Sequence, residues 1–146
     1  MKKFIDLGLP SGRLWADRNI GANAPHEYGN YNYWEEWLKK RITNWCSRPA
    51  LIELLEEATW QWTTQNEVNG HLVTGPNGNS IFIPAGGYKY QNKLYKINES
   101  TELWIAFRDG GNQCMSLWSD DDHDPHTNYT SGYYELPIRE VIYPEE

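Results

Sequence analysis

The densest run of ligand-type residues is Asp120-Asp121-Asp122-His123-Asp124-Pro125-His126. Carboxylate oxygens suit calcium, which takes six to eight oxygen ligands, whereas the two imidazoles suit a transition metal. Asp120, Asp122, Asp124 and His126 are therefore the candidate metal ligands. The spacing is not that of an EF-hand, because the glycine and distal glutamate of that loop do not follow at the required offsets. The plainer reading is a solvated acidic loop, with calcium as the ion to test and no other cofactor.

A second group is aromatic. Trp118, Tyr129, Tyr133 and Tyr134, with Asn128 beside them, combine flat apolar faces with polar tips, the chemistry that stacks on sugar rings or fills pockets on a partner protein. They form the candidate ligand-binding set. Trp104 is expected in the core because it sits within an apolar strand pattern. Catalysis has less support: no Gly-x-Ser-x-Gly nucleophile elbow occurs, and no pair among the twenty acidic residues stands out for glycoside hydrolysis. No catalytic residue is assigned, and the chain reads as a binder rather than an enzyme.

The elements that must position these residues belong to one domain spanning 1–146. Eight tryptophans and ten tyrosines predict an aromatic core, while twelve glycines and eight prolines predict many turns. A net charge of −7 disfavours a nucleic-acid partner, since phosphate is normally met by clustered Lys and Arg. The basic run Lys39-Lys40-Arg41 follows Glu35 and Glu36 at helical spacing and reads as a solvated helical face. No apolar run reaches the roughly 20 residues of a membrane-spanning helix, and Lys2-Lys3 lead to Asp6 and Gly8 rather than to the apolar core of a signal peptide. Surface, virion and cytoplasm all remain open as locations. Cys46 and Cys114 lack CxxC spacing; buried free thiols are favoured over a disulfide.

Residues 73–88, VTGPNGNSIFIPAGGY, predict a strand, a tight turn, a buried strand and a glycine turn. Phe4 to Leu9 and Leu14 to Ile20 predict a hairpin-like entry. Asn23 caps an expected short helix over Ala24 to Tyr28, Trp34 to Ile42 predict another helical stretch, and the clearest helix starts near Ser47 and Pro49 and docks Leu51, Leu54 and Leu55 on a sheet. Further strands are expected at 71–74, 80–84, 93–97, 103–107, 113–118 and 135–142. The polar interval 119–132 reads as a long functional loop. These features define an α+β domain of short twisted antiparallel strands with one or two helices and long loops.

The motifs Leu7-Gly8-Leu9-Pro10-Ser11-Gly12, Leu14-Trp15-Ala16, Asn19-Ile20-Gly21-Ala22 and Glu27-Tyr28-Gly29 resemble the opening of the major-paralogous-domain (FISUMP) family, found in surface proteins of gut anaerobes such as Bacteroidetes. The likeness resumes at Arg48-Pro49, 51–57, Thr59-Trp60-Gln61-Trp62, Val68-Asn69-Gly70 and 73–88. It implies a C-type-lectin-like fold, related to formylglycine-generating enzymes and to the variable proteins of diversity-generating retroelements, with terminal strands close together and ligand-facing loops in the second half. Beyond Tyr95 the pattern thins to Trp104, Gly132 and 137–141. The Glu-Pro-Asn or Gln-Pro-Asp triplet of C-type lectins and the paired late cysteines of formylglycine-generating enzymes are both missing. The resulting expectation is an adhesion or ligand-binding domain recognising a glycan or a protein surface through the loops at 98–134. The alternatives are a structural module of a phage or cell-surface fibre, which would oligomerise, and thirdly an enzyme.

Overall fold

The computed structural model describes residues 2–39, 44–108 and 113–143. It is a small, mostly β domain with two helices, compatible with the α+β expectation. The strands β1 (Phe4–Asp6), β2 (Leu14–Asn19) and β3 (Asn32–Tyr33) precede α1 (Trp34–Lys39) and α2 (Arg48–Glu57). Then follow β4 (Thr59–Gln65), β5 (Val68–Thr74), β6 (Ser80–Pro84), β7 (Tyr88–Tyr90), β8 (Lys93–Tyr95), β9 (Ser100–Arg108), β10 (Gln113–Asp120), β11 (His126–Ser131), β12 (Glu135–Leu136) and β13 (Arg139–Ile142). They form four antiparallel sheets, ordered β1-β2-β13, β4-β5-β6, β9-β10-β11 and β3-β12-β7-β8. The last strand lies beside β2, so the two ends of the chain share one sheet.

The turn after β5 follows from its residues. Gly75 N–H donates to the Asn79 carbonyl (2.9 Å) and Gly78 N–H to the Gly75 carbonyl (3.0 Å), with Gly78 in the left-handed region at φ +91°. Gly75 is required for contact rather than for its dihedral: a Cβ there would meet the Leu7 carbonyl oxygen at 2.0 Å. The side-chain amides of Asn77 and Asn79 each donate to the Asp6 carbonyl at 2.9 Å, tying the turn to the end of β1.

Helix α2 begins where Ser47 Oγ accepts from Ala50 N–H (3.2 Å), with Pro49 in the first turn, where its missing N–H costs nothing. It buries Ala50, Leu51 and Leu54 and stops at Ala58, whose backbone is extended. The core is knit by indole N–H groups that donate to backbone carbonyls: Trp34 to Ile105 (2.8 Å), Trp45 to Trp104 (3.1 Å), Trp104 to Asn32 (2.9 Å) and Trp60 to Leu54 (3.1 Å). Each buries a large apolar body without orphaning its donor.

Three sequence expectations are corrected. Residues 24–28 form a single turn, closed by Glu27 N–H to the Ala24 carbonyl (3.1 Å), because Pro25 and Gly29 leave no room for a helical ladder. The strand expected over 135–142 is two strands, parted at Pro137, which has no N–H for a ladder. The interval 119–132 is not one long loop: β10 runs to Asp120 and β11 occupies 126–131. β11 is an edge strand held by backbone pairing to β10, so it shows no apolar period. The helical stretch expected to reach Ile42, with Lys40 and Arg41, passes outside the described residues after Lys39.

Cys46 and Cys114 are buried and not joined in a disulfide, and burial pushes the Cys46 thiol up. A thiol reagent should therefore leave both unmodified in the native protein and modify both in denaturant, while a reductant should leave the melting temperature unchanged. A melting temperature that falls on reduction would contradict this.

Candidate functional site

Alternation along the β9-β10-β11 sheet sorts its side chains onto two faces. Leu103, Leu117 and Met115 point into the core. The other face carries Ser100 and Glu102 on β9, Trp118 and Asp120 on β10, and His126 and Asn128 on β11, with Glu102 opposite Trp118 and Trp118 opposite His126; further along, this face too enters the core, where Trp104 and Ser116 are fully buried. At the Asp120 end of this face lies a pocket of about 420 Å³. Trp62 and Trp118 supply its aromatic surface, Asn69, Asn98 and Ser100 its neutral polar groups, and Lys96, Glu99 and Asp120 to Asp122 its charges.

The pocket walls are fixed by specific packing. Trp118 lies against His123 and His126, with ring centroids 5.0 and 5.3 Å away. The turn leaving β10 is closed by Asp120 Oδ1, which accepts from Asp122 N–H (2.9 Å) and sits 2.8 Å from His123 Nδ1. Burial works to raise the Asp120 pKa, but the hydrogen bonds from His123 and Asp122 outweigh it and hold the carboxyl below its ordinary 3.8. On the opposite wall, Asn98 takes a left-handed backbone (φ +66°) and accepts Asn69 N–H on Oδ1 at 2.7 Å.

Trp62 is placed by His71, its cross-strand partner in the β4-β5 ladder, with edge-on ring contact at 5.1 Å. Trp60 meets the same imidazole at 5.6 Å. His71 is buried, with Nδ1 3.2 Å from Thr101 Oγ1 and Nε2 3.0 Å from Ser119 Oγ. The Ser119 hydroxyl donates to the His123 carbonyl (3.2 Å), which assigns the imidazole proton to Nε2 and leaves Nδ1 to accept from Thr101. Burial lowers the His71 pKa to about 4 against the pull of Asp120, so the ring is neutral at pH 7.

Glu102, beneath the same face, is 5% exposed and accepts from Ser100 Oγ at 2.8 Å. Burial raises it to about 7, opposed by that hydrogen bond. The sequence offered no signal for Glu102 or His71, since neither lies in a motif. Trp62 was visible in Thr59-Trp60-Gln61-Trp62 only as part of the family likeness.

The sequence-derived candidates are spread over several surfaces. Trp118, Asp120 and Asp122 meet in the pocket; His126 and Asn128 share their sheet face. Tyr129 points to the other side of β11, half exposed at 51%. Tyr133 lines a different pocket, of about 380 Å³, with Tyr33, Glu36 and Lys39. Tyr134 packs among Tyr88 and Tyr90. Asp124 uses its backbone carbonyl, 2.8 Å from His126 Nδ1. Among the described residues no group of three or more His, Cys, Asp or Glu is placed to hold a metal ion, and no helix is long and apolar enough to cross a membrane.

No family model matches the chain, and no match is found among curated proteins or solved structures.

Proposed function

We propose that this is a C-type-lectin-like domain of the FISUMP type that binds a neutral glycan in the pocket between Trp62 and Trp118 and carries out no catalysis. The observation that carries the reading is the combination of two indoles with amide, hydroxyl and carboxylate groups around one open cavity of about 420 Å³. A pyranose ring presents an apolar face to stack on an aromatic ring and a rim of hydroxyls for polar groups, so the pocket matches both parts of it. Charge narrows the ligand further. Glu99 and Asp120 to Asp122 outnumber Lys96, and they would repel uronic acids and sulfated sugars. Their oxygens are assigned here to sugar hydroxyls rather than to calcium.

Binding is favoured over catalysis because the Ser119-His71 contact beside the pocket is sealed. Ser119 and Thr101 are fully buried and His71 is spent bridging them, which braces the wall and keeps the Ser119 hydroxyl out of reach of a substrate.

A glycan array tests the reading. The wild-type domain should retain neutral glycans, and Trp118→Ala should weaken binding by about tenfold or more, the loss expected when a stacking contact worth about 1.4 kcal/mol is removed. Undiminished binding by a folded Trp118→Ala variant would remove the pocket from the account.

A further inference from the structure

Beside the pocket stands a second aromatic surface that the first site does not use. Tyr88 and Tyr95, paired across the β7-β8 hairpin, stack with centroids 5.3 Å apart and planes at 16°. Tyr134 packs on Tyr88 at 5.1 Å and meets Tyr90 edge-on at 4.8 Å. Tyr95 is 38% exposed, and the other three are half-buried, so the cluster forms a braced platform rather than a set of loose side chains. Gln91 and Asn92 both take left-handed backbones at the hairpin turn (φ +49° and +65°), the geometry of a tight two-residue hairpin loop.

The platform joins the pocket by two routes. Lys96, immediately after Tyr95, lines the pocket. On the sheet side, Gly87, immediately before Tyr88, donates its N–H to the Ser100 carbonyl (2.8 Å), and Ser100 is part of the pocket wall. Lys96 thus stands in the chain between the tyrosine stack and the pocket that holds the two indoles.

We infer that the tyrosine platform formed by Tyr88, Tyr90, Tyr95 and Tyr134 is a second sugar subsite, and that the ligand is an extended β-linked chain of pyranose units rather than a terminal monosaccharide. This rests on the glycan reading of the pocket. Equatorial linkages keep successive rings flat, so one chain presents apolar faces to both aromatic surfaces, while the phenol hydroxyls meet its rim. The two subsites then act on one molecule, and affinity rises with chain length until both are covered.

The test is a tryptophan-fluorescence titration with β-1,4-linked glucose and N-acetylglucosamine oligomers of one to six units. Affinity should rise about tenfold or more between the monomer and the longest chain. Tyr95→Ala should remove that length dependence and Tyr95→Phe, which retains the stack, should preserve it. Equal affinity for monomer and hexamer, or an unchanged length dependence in Tyr95→Ala, would overturn the second subsite alone. No binding at any length would overturn this inference together with the glycan reading.

Discussion

Replacing Arg139 by methionine should cost about 3–5 kcal/mol, the largest single-residue loss expected in the chain. Arg139 is fully buried, and each of its three guanidinium nitrogens donates one hydrogen bond: Nε to Asn19 Oδ1 (2.8 Å), Nη1 to the Ala16 carbonyl (3.0 Å) and Nη2 to the Phe82 carbonyl (2.8 Å). The planar fork thereby ties β13 to β2 and β6, joining the sheet at the chain ends to the sheet that carries Trp62. Burial lowers the guanidinium to about 9, assisted by neighbouring Arg18 and opposed by Asp17, so it remains charged at pH 7. A buried ion pair can sometimes be exchanged for apolar residues at little cost, but here two acceptors belong to the backbone and cannot be exchanged with it. Lysine keeps the charge without the fork and should recover only part of the loss. Urea unfolding at pH 7 measures both variants. A loss below about 1 kcal/mol for Arg139→Met would show that the fork contributes no more than an ordinary surface contact.

The second large effect is on the pH dependence of stability, where two buried groups oppose each other. Glu102 is raised from 4.5 to about 7. The folded state therefore holds a proton that the unfolded chain has released, and this stability is present below pH 4.5 and lost as pH rises to about 7. His71 is lowered from 6.5 to about 4. There the unfolded chain binds a proton that the folded state refuses, so this stability is present above pH 6.5 and lost as pH falls to about 4. Each contributes at most about 3 kcal/mol, at a slope approaching about 1.4 kcal/mol per pH unit. Between pH 4.5 and 6.5 the slopes have opposite signs, and the wild-type profile should be nearly flat. Glu102→Gln should unmask the histidine limb, with stability rising with pH across that window. His71→Gln should unmask the glutamate limb, with stability falling. Denaturant melts at half-unit pH steps read both, and variant profiles parallel to wild type would contradict the assignment. The effect bears on the site, because Glu102 holds Ser100 and His71 positions Trp62.

The fold was legible where local chemistry settles it. Ser47 and Pro49 mark the start of α2, and the Gly75 to Asn79 turn with its flanking strands stands as the residue types require. Trp104 in the core and two buried cysteines without a disulfide also follow from pattern and composition. Less was legible where backbone pairing alone organises the chain. β11 carries no apolar period because it is an edge strand, and β7 is three residues whose role depends on stacking with the distant Tyr134.

The candidate site was half visible for the same reason. Trp118 and the acidic turn stood out as residue types. Trp62, Asn69 and Asn98 reach the pocket only through the folding of β4 and β5 against the start of β9, a juxtaposition with no counterpart in local sequence. His71 and Glu102 owe their importance to burial, which a sequence does not display. Tyr129 and Tyr133 lie close to Asn128 in sequence yet face elsewhere: Tyr129 because alternate residues of a strand point to opposite sides, and Tyr133 because it lies in the turn beyond the end of β11.

The most direct measurement of the central claim is the indole N–H spectrum of the ¹⁵N-labelled protein during titration with an N-acetylglucosamine hexamer. Signals from Trp62 and Trp118 should move saturably, while those of the buried Trp15, Trp34, Trp45 and Trp104 stay in place. Indole signals that do not move, or movement confined to the buried tryptophans, would contradict a glycan site between Trp62 and Trp118.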